Sequence, residues 1–183
     1  QATNAAHNEG VVQMGVTGTP SFTTLTAALP VRFRTRVRIN QATLCVYGIG
    51  LDENITDPIS SGTAGDGASF RFNPLNEDTT MGTAVGVGKL TNWILAQKKA
   101  DADTYIDSGI AVVEGSEYDL EIVWGTDLKP KYYINGALVG TGVANTASAP
   151  AKLNIGGRMN GTPGGLRIDM DVRYYQIDTG VSA

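Results

Sequence analysis

The chain has 183 residues and a formal net charge of −4 at pH 7, with 14 lysines and arginines against 18 aspartates and glutamates. This length suits one domain, and the acidic balance argues against bulk electrostatic binding to DNA or RNA, whose phosphates require a basic face. The single cysteine, Cys45, excludes an intrachain disulfide and a cysteine-based metal cluster. No apolar run approaches the ~18 residues of a membrane span, and no signal peptide is visible.

The first 20 residues are polar and show little periodicity. We therefore predict an N-terminal arm over residues 1–20 and a folded domain over residues 21–183. Residues 11–15 within the arm have the pattern of a short strand, and an extended piece of this kind can add to the sheet edge of another chain through backbone hydrogen bonds. We expect the arm to contact a sister subunit or another protein through Val11, Val12, Gln13 and Met14.

Period-two alternation of apolar and polar residues predicts half-buried strands along most of the chain. In residues 31–39, one face is apolar and the other carries four arginines, Arg32, Arg34, Arg36 and Arg38. Residues 166–177 alternate in the same way, and simple alternation places Val172 and Tyr174 together on the apolar face. Further strands are predicted at 44–50, 67–72, 117–124, 131–135 and 151–155.

Turn signals separate these segments, and Asn135-Gly136 predicts a hairpin with a type I′ turn. Helical periodicity is weak, since the only candidate helix, residues 91–103, is equally compatible with a strand. Cys45 lies in an apolar run and is expected to be a small buried side chain. Many short strands with glycine-rich turns predict an all-β fold, a two-sheet antiparallel β-sandwich or jelly roll.

Two stretches carry a resemblance to a known group of proteins. Residues 118–140, "YDLEIVWGTDLKPKYYINGALVG", resemble the concanavalin A-like lectin/glucanase superfamily, which includes laminin-G-like domains, and residues 153–178 look like the closing section of the same superfamily. The resemblance implies a jelly roll of two antiparallel sheets. The sequence, which is rich in Gly, Thr and Ala, also looks like jelly-roll domains of bacteriophage virion proteins. The fold carries lectins, hydrolases and structural modules, so it does not imply one activity.

The resemblance also predicts partners for Arg32, Arg34, Arg36 and Arg38, which we call the arginine row. In domains of that superfamily, an early strand and the last strand lie side by side, which would place Asp169 and Asp171 across from the arginines. Opposite charges across strands contribute ~0.2–1 kcal/mol each. Because two aspartates cannot neutralise four arginines, some positive surface is expected to remain. Such a surface would suit an acidic protein partner and is too small for a nucleic-acid groove.

Catalytic residues are not expected. Glu117, Asp119 and Glu121 form the E-x-D-x-E row that glucanases of the superfamily use for retaining hydrolysis. The resemblance, however, matches this strand to the one that leads into the hairpin, whereas the catalytic row belongs to an earlier strand. His7 is the only histidine and lies in the predicted arm, so no Ser-His-Asp triad is expected.

A cofactor is not expected either. Asp101, Asp103 and Asp107 could contribute to a calcium site, but they lack the pattern of an EF-hand loop. Aspartates in loops are commonly turn formers.

Exposed aromatic side chains are the candidates for glycan contact, because sugar rings stack on them. Trp124 shares a face with Leu120 and Ile122 and is expected in the core. The alternation leaves four other aromatic residues open as solvent-facing candidates: Trp93, Tyr105, Tyr133 and Tyr175.

The leading functional prediction is a non-enzymatic virion structural protein, either a capsid decoration (cement) protein or a domain of a phage fibre or spike. Its partners would be the capsid shell or sister subunits in a homo-oligomer, with a host-surface glycan as a further partner. The alternative is a lectin-like carbohydrate-binding module, and the third is a glycan hydrolase of the glucanase type. The expected location is the virion, assembled in the host cytoplasm, or the extracellular space for a secreted lectin.

Overall fold

The computed structural model describes residues 7–14, 30–52, 67–99, 102–144, 152–160 and 170–180. The strands within these residues are β1 His7–Met14, β2 Val31–Ile39, β3 Cys45–Asp52, β4 Gly67–Phe72, β5 Asn92–Lys99, β6 Ala102–Ala111, β7 Glu117–Trp124, β8 Pro130–Ile134, β9 Ala137–Thr141, β10 Lys152–Asn160 and β11 Met170–Thr179. A short helix, α1 Thr79–Val85, and a 3-10 helix, Val87–Lys89, lie between β4 and β5.

These strands form two antiparallel sheets packed as a sandwich. The six-stranded sheet has the order β1-β10-β3-β4-β5-β6, and the five-stranded sheet has the order β11-β2-β7-β8-β9. This confirms the predicted two-sheet antiparallel sandwich, and β2 does lie beside β11. The Asn135-Gly136 turn is also confirmed, because both residues have positive φ angles, 51° and 79°. Neither described helix is long and apolar enough to cross a bilayer.

Three points of local structure go beyond the sequence predictions. Residues 7–14, expected in a separate arm, pair with β10 as an edge strand of the same chain, with Val12 opposite Ile155. The rest of the predicted arm lies outside the described residues. Of the two alternatives left open for residues 91–103, the structure has the strand: β5 ends at Lys99 and β6 begins at Ala102. The helix that does form, α1, begins after Asp78, whose carboxylate accepts hydrogen bonds from two backbone N–H groups of its first turn.

The core lies between the sheets and is built from their inward-facing side chains. In β2 the five apolar or small residues are fully buried while the arginines alternate with them on the outer side. Trp93 packs edge-to-face against Tyr118, with ring centroids 5.5 Å apart, a geometry that aromatic pairs favour. Cys45 and Trp124 are buried, as predicted.

A polar side chain joins the two sheets along the side where β5 faces β9. Gln97 lies on the inward face of β5 and is 3% exposed. Its amide Nε2 donates to the carbonyl oxygen of Val143 at 2.8 Å, and its Oε1 accepts from the Val143 N–H at 2.8 Å. The side chain therefore pairs with the segment after β9 as a neighbouring strand would. We call this pair of hydrogen bonds the Gln97 bridge. Nearby, the Tyr132 hydroxyl donates to the carbonyl oxygen of Ala96 at 2.7 Å.

We expect Gln97→Ala to lower the free energy of unfolding by about 2 kcal/mol, because it removes two hydrogen bonds and leaves a cavity among buried groups. Urea unfolding measures the change. Thr104→Ala is the matched control, since Thr104 is opposite Gln97 in the ladder but exposed, and it should stay within ~0.5 kcal/mol of wild type. Equal losses in the two variants would show that the bridge contributes nothing specific.

Candidate ligand-binding faces of the two sheets

The outer side of the five-stranded sheet carries aligned rows of polar and aromatic side chains. We call this surface, formed by the outward residues of β11, β2, β7 and β8, the charged face. Register places Gln176, Arg34, Glu121 and Tyr133 in one row across four strands. A second row runs through Tyr174, Arg36 and Asp119, and a third through Asp178, Arg32, Val123 and Lys131.

Ion pairs on the charged face run between β2 and β7. Arg36 makes a two-point contact with Asp119, from its Nε to Oδ1 at 2.7 Å and from its Nη2 to Oδ2 at 2.8 Å. Glu121 is shared by two arginines, since Oε1 lies 2.9 Å from the Nε of Arg32 and Oε2 lies 3.2 Å from the Nε of Arg34. Three of the four arginines of the row are therefore paired within their own chain.

The predicted placement of β11 aspartates across from this row holds for Asp171 but not for the arginines at the centre of the row. Across from Arg36 and Arg34, β11 presents Tyr174 and Gln176. Asp171 is opposite Arg38 and forms its ion pair with Arg173, at 3.6 Å. Asp169 lies outside the described residues.

The reason is a bulge in β11. Val172 pairs with Val37 and Tyr174 pairs with Arg36, so Arg173 is an extra residue in the ladder. The bulge reverses the alternation expected from the sequence and turns Tyr174 to the outer side. There the guanidinium carbon of Arg36 lies 6.0 Å from the centre of the Tyr174 ring, within the range of a cation–π contact.

Charges on this face nearly balance. Six cationic side chains lie on it, namely Arg32, Arg34, Arg36, Arg38, Lys131 and Arg173. Five carboxylates share the same strands, Glu117, Asp119, Glu121, Asp171 and Asp178, and Asp127 adds a sixth through its contact with Lys131 at 3.7 Å. β7 supplies three of these carboxylates and β11 supplies two, so most of the positive charge of the arginine row is compensated within the chain, while the strands themselves keep one cation in excess.

The Arg36–Asp119 contact also controls ionisation. Hydrogen bonding from Arg36 lowers the pKa of the Asp119 carboxyl, and the positive charges of Arg36 and Arg34 act in the same direction against partial burial. The same hydrogen bond raises the pKa of the Arg36 guanidinium above its ordinary value. Asp119 is therefore held as a carboxylate at neutral pH.

Two shallow depressions lie side by side on the charged face. The first has a volume of about 220 Å³ and is lined by Arg34, Asp119, Glu121, Asn135, Gly136 and Tyr174, together with Leu120. The second has a volume of about 280 Å³ and is lined by Arg32, Glu121, Val123, Lys131, Tyr133 and Gly136. Glu121 and Gly136 belong to both, so the depressions adjoin.

The fold places the four aromatic residues predicted for glycan contact in different parts of the molecule. Trp93 is fully buried in the core, so its prediction as a solvent-facing contact is wrong. Tyr105 is half-buried on the other sheet, and Tyr175 is 42% exposed but lies opposite the inward-facing Thr35. Only Tyr133 lines a depression of the charged face. The aromatic residue that sequence reasoning missed is Tyr174, because the bulge that turns it outward leaves no signal in the alternation.

The outer side of the six-stranded sheet holds a different polar group, centred on Asp78. The Tyr105 hydroxyl donates to Asp78 Oδ2 at 3.0 Å, and the Arg71 Nη1 lies 3.9 Å from the same oxygen. Asp78 Oδ1 caps α1, and beside it Met81, Leu90 and Ile94 form a small apolar cluster. These contacts dock α1 on the sheet. Burial raises the pKa of Tyr105 above its usual range, so its hydroxyl stays a donor at neutral pH.

The aspartates considered for calcium have other partners. Asp103 is opposite Lys98 in the ladder, and partial burial raises the pKa of its carboxyl. Partial burial would also raise the pKa of Asp107, but hydrogen bonds from Asn92 and the Gly109 N–H outweigh it and lower the pKa. Asp101 lies outside the described residues. Across the described ranges, no group of three or more His, Cys, Asp or Glu side chains converges, and the expected absence of a cofactor stays a prediction.

Each carboxylate of the E-x-D-x-E row lies beside a cationic side chain. Retaining hydrolysis requires one carboxyl to be protonated as the general acid and another to attack as a carboxylate. Asp119 is held ionised by Arg36, and Glu121 is in contact with two guanidinium groups. Glu117 lies 3.4 Å from Arg173. Each of these carboxylates therefore has a cationic partner, which favours a binding role for the row.

Comparison with known proteins establishes the fold alone. No family model and no curated protein matches the chain. Among solved structures, it is similar to a β-glucanase of Bacillus licheniformis (17% identity, TM-score 0.48, covering 77% of this chain and 56% of the enzyme). It is also similar to a polysaccharide lyase family 18 protein (9% identity, TM-score 0.58, covering 95% of this chain and 79% of the lyase). A third similar structure is that of an immunostimulatory antigen and pseudo β-1,3-glucanase of Mycobacterium tuberculosis (9% identity, TM-score 0.54, covering 80% of this chain and 62% of the antigen). The chain thus spans less than two thirds of the first and third of these proteins.

The Asp119→Asn variant tests the Arg36–Asp119 ion pair through the pH dependence of the free energy of unfolding. Because the pKa of Asp119 is lower in the folded chain than its ordinary 3.8, its stabilising contribution is present above that value and is lost as the pH falls through the folded-state pKa. We expect wild-type stability to fall more steeply than that of Asp119→Asn between about pH 5 and pH 2. Urea unfolding over a pH series measures the two slopes.

A double-mutant cycle distinguishes this pair from the one predicted by sequence. Arg36 and Asp119 should show a coupling that shrinks as salt is added. Arg36 and Asp171 are the matched control pair and should show none. Coupling found only in the control pair would restore the sequence prediction and contradict the register described above.

Proposed function

We propose that this chain is a non-enzymatic, lectin-like module that binds glycans on its charged face. The observation that supports the proposal is the pair of adjoining depressions, in which guanidinium, carboxylate, amide and phenol groups converge on one sheet surface. A sugar hydroxyl both donates and accepts hydrogen bonds. A surface on which ionised donors and acceptors alternate can bind such a hydroxyl from both sides, with charge-assisted hydrogen bonds.

Aromatic and apolar groups lie beside the polar ones. Tyr133 lines the second depression, and its cross-strand neighbour Leu138 is 55% exposed. Tyr174, which lines the first depression, is 39% exposed. Each phenol presents an apolar ring face together with a hydroxyl. Such a combination suits a sugar, which has an apolar ring face and a polar rim.

The virion role predicted from the sequence stays a prediction. None of the three similar structures named above is described as a virion protein, so the proposal does not depend on that context. The contact of residues 11–14 with another chain, the homo-oligomer and the virion location likewise remain predictions. A decoration or fibre domain that binds a host glycan would be compatible with the binding role proposed here.

Tyr133→Ala tests the proposed binding face. We expect it to weaken binding of glucose oligomers about tenfold, through loss of ring packing, as measured by isothermal titration calorimetry. Tyr175→Ala is the matched control, because it removes a phenol that is more exposed than that of Tyr133 and whose position in the ladder is opposite the inward-facing Thr35. Its affinity should equal that of wild type. If Tyr175→Ala weakens binding and Tyr133→Ala does not, the glycan site lies elsewhere.

The absence of catalysis is a separate expectation of the proposal. Incubation of the protein with β-1,3- and β-1,4-glucans should release no reducing ends above a buffer blank. Glu121→Gln should give the same result, because the carboxylates of this row are expected to bind ligand and not to transfer protons. Hydrolysis by wild type that disappears in Glu121→Gln would replace the proposal with a glucanase.

A further inference from the structure

We infer that the ligand of the charged face is an uncharged sugar chain of at least two units, bound across Glu121. The inference rests on the proposed glycan-binding function and adds the ligand's charge and length. Three features of the face carry it: its nearly balanced charge, the hydrogen-bonding capacity left at its centre, and its division into two adjoining depressions.

Charge balance disfavours an anionic ligand. The cationic side chains nearest the depressions each have a carboxylate partner in the same chain. A uronate or sulfate bound across Glu121 would lie beside that carboxylate, whose negative charge offsets the attraction of Arg32 and Arg34. A neutral hydroxyl can instead bind beside each ion pair without separating it, so no ion has to lose its partner.

Unused hydrogen-bonding capacity lies around Glu121. Arg32 and Arg34 each contact its carboxylate through Nε, which leaves four terminal N–H donors on each guanidinium group. A carboxylate accepts about four hydrogen bonds, and each oxygen of Glu121 has one guanidinium group beside it. By contrast, Arg36 directs both Nε and Nη2 to Asp119. The centre of the face, around Glu121, is therefore where hydroxyl groups have the most partners.

The division of the charged face into two depressions indicates the minimum length of the ligand. Both depressions reach Glu121 and Gly136, and a Cβ added to Gly136 would meet no atom within 4 Å. No side chain therefore separates them at that position. The first depression has Tyr174 at its side and the second has Tyr133. Each has an aromatic ring of its own, so each can hold one sugar unit, and a chain of two linked units would place its linkage near Glu121.

Calorimetry with glucose oligomers of one to six units, compared with galacturonate oligomers of the same lengths, tests this inference. We expect the affinity for glucose to rise at least about tenfold from one unit to two. It should change less than about twofold between low and high salt. Galacturonate oligomers should bind more weakly at every length.

Two variants separate the parts of the inference. Lys131→Ala, in the second depression, should bring the affinity for the two-unit oligomer down toward that for the single unit. Glu121→Gln should leave Arg32 and Arg34 without their carboxylate and shift the preference toward galacturonate, with a new dependence on salt.

Three outcomes would overturn the inference. Tighter binding of galacturonate by wild type would exclude a neutral ligand while leaving glycan binding intact. Equal affinity for one and two glucose units would exclude the paired depressions. Binding of neither series would remove the proposed function itself, and the inference with it.

Discussion

Strand β2 sets the arrangement on which both sides of the five-stranded sheet depend. Its inward residues are fully buried in the core, so a shift of one residue in its pairing would place the arginines inside. The large free-energy cost of burying unpaired charge keeps that register fixed. Once β2 is fixed, β7 must present Asp119 and Glu121 to the arginines. The charged face is thus a consequence of core packing, although exposed ion pairs add little to stability themselves.

One buried hydroxyl in β2 links the core to the aromatic side of this face. Thr35 is fully buried among apolar neighbours, and its Oγ1 donates to the carbonyl oxygen of Tyr174 at 2.6 Å. That hydrogen bond lies next to the bulge in β11, where the regular ladder is interrupted. A polar atom at this buried position would be costly without a partner. Thr35 therefore satisfies its own hydroxyl and stabilises the irregular backbone that turns Tyr174 toward Arg36.

The sequence predicted the regular parts of this molecule well, for physical reasons that can be named. Strands β2, β4 and β7 have the predicted bounds because strict alternation and flanking turn residues act locally. The bulge at Arg173 was missed because it depends on a distant partner, Thr35. The partner of the arginine row was missed for a similar reason. The resemblance indicated which strand lies on one side of β2, and the strand on the other side supplies the carboxylates.

Site residues were harder to predict than strands, since exposure depends on tertiary packing. Trp93 and Tyr133 both lie in strands with mixed patterns, yet one is in the core and the other lines a depression. Helix α1 escaped detection because its seven residues are too few to establish a helical period. Its position depends on Asp78, which caps the helix and also contacts Tyr105.

The bulge in β11 has a consequence at the level of the gene. Since Arg173 is the extra residue, an in-frame loss of its codon would leave Val172 opposite Val37 and Tyr174 opposite Arg36, and every later side chain would keep its face. Loss of one of the next three codons, those of residues 174–176, would also straighten the bulge and leave Ile177 opposite Phe33, but it would place Arg173 opposite Arg36. The strand can therefore shorten by one residue without turning Ile177 outward, and only loss at residue 173 keeps Tyr174 beside Arg36.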